Sequence, residues 1–121
     1  LQKNIELGNL DTKRDWGHAK DYVIAMWMML QQKKPNDFVI GTGKDHSVRD
    51  FAKLAFKEAG LDYKKFIKIN KKFKRPSEVD TLIADSTKAK KILKWKPKIT
   101  FNQLIKDMIK SDIKFVKGEG Y

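Results

Sequence analysis

Apolar residues recur at helical spacing soon after position 20. Val23, Met26, Trp27 and Leu30 fall at i, i+3, i+4 and i+7, which places them on one face of an α-helix. Asp21 precedes this run and belongs to the residue types that cap helices. We therefore predict a helix from Asp21 onward, with this apolar stripe as its core-facing side.

Three further helices follow from the same spacing and from capping residues. Ser47 opens the second, and Gly60 lies where a glycine ends a helix. Ser86 is placed to cap a short helix, while Thr100 with Gln103 forms a capping box at the start of the last one. The apolar positions are Val48, Phe51, Ala52 and Ala55, then Ala89, Ile92 and Leu93, and finally Leu104, Ile105, Met108, Ile109 and Ile113.

Short apolar runs between these helices predict four strands. They lie within residues 5–10, 37–43, 66–69 and 81–85, and the second is expected to be buried and closed by glycines. The predicted fold is α/β, with about four helices and short strands in a single lobe over residues 1–121. The strands are too few and too short for a complete Rossmann sheet.

Composition indicates one small globular domain. The chain has 121 residues, of which 40% are hydrophobic and 35% charged, and it has no cysteine for a disulfide or a thiolate metal site. The longest apolar run, residues 23–30, is too short to cross a bilayer. We expect no membrane partner and a cytoplasmic protein, since no basic segment followed by an apolar one opens the chain.

The formal net charge of +12 favours an anionic partner. Nucleic acid is one alternative, because residues 63–75, "YKKFIKINKKFKR", combine lysines with aromatic residues. The other lysines are spread along the chain, which weakens that interpretation. A nucleoside diphosphate would exploit the same charge at a smaller site.

No complete catalytic or cofactor motif is present. The stretch "GTGKDHS" at 41–47 has His46 where a dinucleotide fingerprint needs its third glycine. Asp45 follows Lys44 where a P-loop needs Ser or Thr. We interpret it as a turn leading into a capped helix. Neither His18 nor His46 has the partners of a metal site, so we predict no catalytic residue, no cofactor-binding residue and no metal ligand in this chain.

Only three of the 27 basic residues are arginines, at positions 14, 49 and 75. A guanidinium grips phosphate with two parallel bonds, whereas an ammonium acts as a point charge. Arg14 and Arg75 lie in predicted loops, and Glu78 could accept two bonds from a ribose diol. Arg49 lies in the first turn of a helix and is assigned no ligand. The alternative for all of them is a surface or structural ion pair.

Three long segments resemble the C-terminal half of GDP-mannose 4,6-dehydratases, which are extended short-chain dehydrogenases/reductases. They are "LGNLDTKRDWGHAKDYVIAMWMMLQ" (7–31), "TGKDHSVRDFAKLAF" (42–56) and "RPSEVDTLIADSTKAKKILKWKPKITF" (75–101). The likeness continues through the final helix in the family's order and spacing. The fold it implies is the small C-terminal substrate-binding lobe of such an enzyme.

The resemblance also implies a chemistry and a set of ligands. Such enzymes use NADP to oxidise the sugar at C4, eliminate water across C5 and C6, and return the hydride at C6. Their Rossmann domain holds NADP and the catalytic groups, and the small lobe clamps the GDP. Matched by position, Arg14 and Arg75 would grip the diphosphate and Glu78 the ribose, with Asn9 and Lys13 near the nucleotide.

This chain lacks the N-terminal Rossmann domain of that family. We therefore expect it to bind GDP-mannose or GDP, to hold no NADP and to be inactive alone. The alternatives are a stand-alone GDP-sugar-binding module, a subunit completed by a separate Rossmann chain, and a basic nucleic-acid-binding protein. Trp27 and its methionine neighbours at 26, 28 and 29 exceed what a small lobe can cover, so we also expect self-association.

Overall fold

The computed structural model describes residues 2–74, 77 and 79–118. This part of the chain forms five α-helices and five short strands, which confirms the predicted α/β class. The helices are α1 (Ala19–Leu30), α2 (Val48–Glu58), α3 (Tyr63–Phe66), α4 (Thr87–Ile92) and α5 (Phe101–Val116). The strands are β1 (Ile5–Leu7), β2 (Lys13–Asp15), β3 (Asp45–Ser47), β4 (Ile67–Ile69) and β5 (Thr81–Leu82), and a 3₁₀ turn covers Lys71–Phe73.

The strands form two small sheets that share no strand. In the first, β1 pairs in parallel with β4, so that Ile5 lies opposite Ile67. In the second, β2 is central, antiparallel to β3 and parallel to β5. Arg14 therefore lies opposite His46 on one side and Leu82 on the other.

Most of the predicted helix ends are confirmed. The Ser47 hydroxyl accepts the Asp50 N–H and the Asp50 carboxylate accepts the Ser47 N–H, each at 3.0 Å, which closes a capping box on α2. Thr100 and Gln103 form the predicted box on α5. Gly60 follows α2 with a φ of +73°, a conformation that glycine adopts without strain.

The predicted strand at 37–43 is wrong. This stretch is irregular, and the strand forms later, at Asp45–Ser47. The backbone of Gly41 bonds to the Ser86 hydroxyl, donating at 3.0 Å and accepting at 2.8 Å, instead of to a neighbouring strand. For the same reason Ser86 makes no side-chain bond to the start of α4, although it occupies the capping position.

Asp21 was predicted as the cap of the first helix, and this is also wrong. The helix begins at Ala19, and the cap is His18, whose Nδ1 accepts the Lys20 N–H at 3.1 Å. Asp21 is buried in the first turn, where its carboxylate accepts the N–H groups of Lys98 and Ile99 at 3.0 and 2.9 Å. It therefore joins α1 to the segment that leads into α5.

The buried residues fall into two groups. The first group lies on the inner side of α1 and consists of Ala25, Ala89, Leu93 and Trp95. The Trp95 indole donates to the Asp21 carbonyl at 2.9 Å, so its polar atom is satisfied inside the core. The second group lies along α2 and α5, and its buried side chains are Ala52, Leu104 and Ile105.

The stripe predicted as the core side of α1 faces outward. Val23, Met26, Trp27 and Leu30 are 61, 60, 61 and 81% exposed. The covered side is the one that carries Ala25. Residues 23–30 are all apolar, so spacing alone could not show which side of the helix packs against the rest of the described residues. None of the helices in the described ranges has both the length and the apolarity to cross a bilayer.

Candidate functional site

Residues 5–14 run beside two distant parts of the chain, residues 67–73 and 79–82. Their sheet pairing begins at β1 and β4. At Gly8 the approach is so close that a Cβ would lie 2.5 Å from the Phe73 carbonyl oxygen. Further along, the Lys13 N–H donates to the Asp80 carbonyl at 2.8 Å. Lys13 and Arg14 therefore lie beside residues 79–82.

Arg14 is in β2 and not in a turn, contrary to the prediction from sequence. Its Nη1 donates to the Val79 carbonyl at 2.8 Å and to the Lys13 carbonyl at 2.6 Å. The guanidinium is half-buried and borders a groove of about 320 Å³. The groove is also lined by Asp15, Tyr22, Ile40, Leu82 and Ile83. Arg14 is thus held against the residue that directly follows Glu78 in the chain.

Asn9 and Lys13 lie on the same stretch as Arg14. The Asn9 side chain accepts the Asp11 N–H at 3.0 Å, which shapes the turn before β2. Lys13 is exposed and lies between Ser47 and Thr81 in the sheet. The other two predicted ligands, Arg75 and Glu78, lie outside the described residues.

Sequence reasoning missed the role of Asp15, the last residue of β2. Its carboxylate accepts four hydrogen bonds: from the Thr42 N–H and hydroxyl at 2.9 and 2.5 Å, and from the Gly43 and Ala84 N–H groups at 2.8 and 3.2 Å. Burial raises the pKa of Asp15, but these four bonds together lower it below its ordinary value. The carboxylate is therefore charged at neutral pH. An Asp after an Arg in a strand carries no signal of this role, because its donors are 27 to 69 positions away.

The hydrogen bonds around Asp15 show whether the 41–43 loop could bind the phosphates of NADP, the cofactor that the resemblance implies. A phosphate-binding loop needs free backbone N–H groups at the start of a helix. In the loop at 41–43, the N–H groups of Thr42 and Gly43 already donate to Asp15, and that of Gly41 donates to Ser86. No strand with a free glycine-rich turn precedes a helix in the described ranges, so these residues do not fit a dinucleotide.

Arg49 and the residues of the 41–47 stretch have structural partners. Nε and Nη2 of Arg49 donate to the same Asp11 oxygen at 3.0 and 2.8 Å, as expected for an arginine with no ligand assigned. The His46 ring stacks on Phe101, with ring centroids 3.8 Å apart. Among the described residues, no group of three or more His, Cys, Asp or Glu side chains could hold a metal ion.

Comparison with known proteins shows the family to which this chain is similar. Residues 1–108 match the model of the GDP-mannose 4,6 dehydratase family. The chain is 50% identical to the GDP-mannose 4,6 dehydratase of Drosophila melanogaster and 45% identical to that of Homo sapiens, each over 93% of its length. It is 47% identical to that of Dictyostelium discoideum over 97% of its length. It spans only 33, 35 and 38% of these three proteins, respectively.

Solved structures of related enzymes share the fold. A UDP-glucose 4-epimerase from Thermotoga maritima with UDP-glucose has a TM-score of 0.81 at 26% identity, over 93% of this chain and 36% of that one. A dTDP-glucose 4,6-dehydratase from Bacillus anthracis in complex with NAD has a TM-score of 0.80 at 20% identity, over 93% and 35%. The resemblance stated from the sequence is confirmed: the chain belongs to the GDP-mannose 4,6-dehydratase family.

Proposed function

We propose that this chain is the C-terminal portion of a GDP-mannose 4,6-dehydratase and that it binds the GDP part of the substrate. The observation that carries the proposal is the contact between Arg14 and the Val79 carbonyl, in a chain that matches this family. It holds the Arg14 guanidinium at Val79, and the other two predicted ligands, Arg75 and Glu78, precede Val79 in the chain by four positions and one position. Two guanidinium groups suit a diphosphate, and a carboxylate suits a ribose diol.

The chemical step belongs to the rest of a full-length enzyme in this proposal. NADP bound there would supply the hydride chemistry that converts GDP-mannose to GDP-4-keto-6-deoxy-mannose and water. The role of this chain is to hold the nucleotide so that the sugar faces that centre. We expect no turnover and no NADP binding by the chain alone, which fits the occupied N–H groups of the 41–43 loop.

The exposed stripe of α1 suggests where the rest of the enzyme packs. Val23, Met26, Trp27 and Leu30 form one continuous apolar face, and relatives are about three times as long as this chain. We propose that the NADP-binding portion covers this face, whether it is part of the same polypeptide or a separate chain. Without it, the face favours self-association.

We also propose a cytoplasmic location, with which the lack of cysteine agrees.

Calorimetric titration of the chain with GDP and GDP-mannose tests the binding proposal. We expect both to bind, and the substitution Arg75→Ala to weaken binding about tenfold, the loss of one charge-assisted contact. Lys106→Ala removes the same charge from an exposed position on α5 and serves as the control. Absence of GDP binding, or equal losses in both variants, would contradict the proposal.

The nucleic-acid alternative is tested in the same instrument with a short RNA. The aromatic residues of the basic stretch argue against it in part, because the Phe66 ring packs against Phe56 with centroids 5.8 Å apart. We expect RNA binding that is weak and lost at moderate salt. Strong RNA binding without GDP affinity would replace the nucleotide-sugar proposal, and dehydration of GDP-mannose by the chain alone would show that its catalytic groups lie within these 121 residues.

A further inference from the structure

The Asp15 carboxylate joins three parts of the chain that are distant in sequence. Each of its oxygens accepts two bonds: Oδ1 from the Thr42 N–H and hydroxyl, and Oδ2 from the Gly43 and Ala84 N–H groups. The packing around it is tight, because a Cβ on Gly41 would overlap the Ala84 methyl group and lie 3.0 Å from Oδ2. We call this arrangement the Asp15 clasp.

The clasp completes a series of contacts between β2 and residues 79–84. Arg14 bonds to the Val79 carbonyl, Lys13 to the Asp80 carbonyl, and Arg14 pairs with Leu82 in the sheet. The strand pairing itself covers only two residues of β5. The Asp15–Ala84 bond therefore fixes the far end of a short pairing that would otherwise fray.

We propose that Asp15 is a positioning residue for GDP binding: through the clasp it fixes the placement of Arg14 relative to residues 79–84. This inference rests on the proposed function. An aspartate suits the role because an ionised carboxylate only accepts, and all four groups around it donate. An asparagine keeps one acceptor oxygen but presents an NH₂ group to N–H donors, which breaks two of the four bonds.

The substitution Asp15→Asn, titrated with GDP under conditions where the protein is fully folded, tests the inference. We expect the dissociation constant to rise about tenfold, as for the loss of a charge-assisted hydrogen bond. Asp50→Asn is the matched control. It also removes a hydrogen-bonded carboxylate and lowers stability, but it acts at the α2 cap and should leave GDP affinity unchanged.

A spectroscopic readout separates positioning from general destabilisation. In an NMR amide spectrum, Asp15→Asn should move the signals of Thr42, Gly43 and Ala84, and with them those of residues 79–82. Asp50→Asn should leave the 79–82 signals in place. Confinement of the Asp15→Asn changes to 42, 43 and 84 would show that the clasp does not set the position of β5, and would overturn the inference.

A second pair of variants keeps the test independent of how well Asp15→Asn folds. Thr42→Val removes the hydroxyl that donates to Oδ1, whereas Thr42→Ser retains it. We expect Thr42→Val to weaken GDP binding about threefold, the effect of one lost hydrogen bond, and Thr42→Ser to bind as the wild type does. Equal affinities for all three proteins would contradict the role of the clasp.

The outcomes distinguish this inference from the function on which it rests. If the unaltered chain binds no GDP, the proposed function fails and the inference fails with it. If the unaltered chain binds GDP and Asp15→Asn binds it equally well, only the inference is overturned. A tenfold loss in Asp15→Asn with full affinity in Asp50→Asn supports both.

Discussion

Helices α1 and α5 differ in whether the apolar stripe predicted from spacing is buried. In α5, Leu104 and Ile105 at the start of the predicted stripe are buried, whereas Met108 and Ile113 further along it are 44 and 39% exposed. In α1, residues 23–30 are all apolar, and the side with helical spacing is the exposed one. The side that packs inward carries the small residue Ala25.

The difference indicates that the described residues cover the first part of the α5 stripe and leave the stripe of α1 uncovered. A helix with one apolar side packs against a single neighbour, as α5 does along α2. A helix with apolar residues all round needs a cover on each side. Under the proposed function, the NADP-binding portion of a full-length enzyme would supply the missing cover of α1.

Substitution of one tryptophan on each side of α1 is expected to give the largest difference in the free energy of unfolding. Trp95 is 2% exposed in the core under α1, and Trp27 is 61% exposed on its outer side. We expect Trp95→Ala to lower the free energy of unfolding by about 3–5 kcal/mol, because it leaves a cavity in the core and removes the indole bond to the Asp21 carbonyl. Trp27→Ala should change it by less than about 1 kcal/mol. Equal losses in chemical denaturation would mean that the outer face of α1 is covered.

Asp21 tests how the inner side of α1 is attached. Asp21→Asn weakens two bonds to the N–H groups of Lys98 and Ile99 in a buried site. We expect a loss of about 1 kcal/mol in the free energy of unfolding, because the amide oxygen can still accept both bonds but carries no full charge. Asp112→Asn, on the exposed side of α5, is the control and should have almost no effect. A loss no greater than the control's would show that Asp21 does not anchor α1.

Lowering the pH should reduce the stability contributed by the α2 cap but not that contributed by the α5 cap. The Ser47 hydroxyl and then the Ser47 N–H lower the pKa of Asp50 below 3.8, whereas the α5 cap of Thr100 and Gln103 has no ionisable group. A lowered folded-state pKa gives stability above the unfolded-state pKa that is lost as the pH falls through the folded-state value. We expect Asp50→Asn to cost about 1 kcal/mol at pH 7 and progressively less below pH 3.8.

The same denaturation series includes Thr100→Ala as the reference for an uncharged cap. Its cost should also be about 1 kcal/mol, and it should not depend on pH. Parallel pH profiles for the two variants would contradict the assignment of the acid-sensitive cap to Asp50.

The smallest effect on stability is expected at the outer face of α1, although its effect on association is large. The double substitution Val23→Gln with Trp27→Gln should change the free energy of unfolding by less than about 0.5 kcal/mol per site. It should also reduce self-association of the chain in light scattering, since it removes the centre of the apolar stripe. A chain that is monomeric at high concentration before substitution would contradict the exposed-face account.

The local features of the fold were predictable because their signals are close together in sequence. The Ser47 and Thr100 boxes and the Gly60 turn depend on residues within four positions. The irregular stretch at 37–43 was not predictable, because Asp15 and Ser86 bond its backbone from distances of 27 to 45 positions. Apolar run length could not reveal these partners.

The candidate site shows the same limit. Arg14 was singled out because arginine is rare in this chain, and the family resemblance implied that it contacts the diphosphate. Neither argument indicated that its Nη1 donates to the Val79 carbonyl. The clasp around Asp15 was missed because an ordinary aspartate after an arginine has no local signature. The roles of Arg75 and Glu78 stay predictions, since both lie outside the described residues.

The central claim is that two arginines of this chain grip a diphosphate, and a comparison of GDP with guanosine tests it most directly. Calorimetric titration should show that the chain binds GDP at least about tenfold more tightly than guanosine, which has no phosphate. Arg75→Ala should remove most of that preference while leaving the weak binding of guanosine unchanged. A chain that binds guanosine as tightly as GDP, or an Arg75→Ala variant that keeps the full preference, would contradict the account.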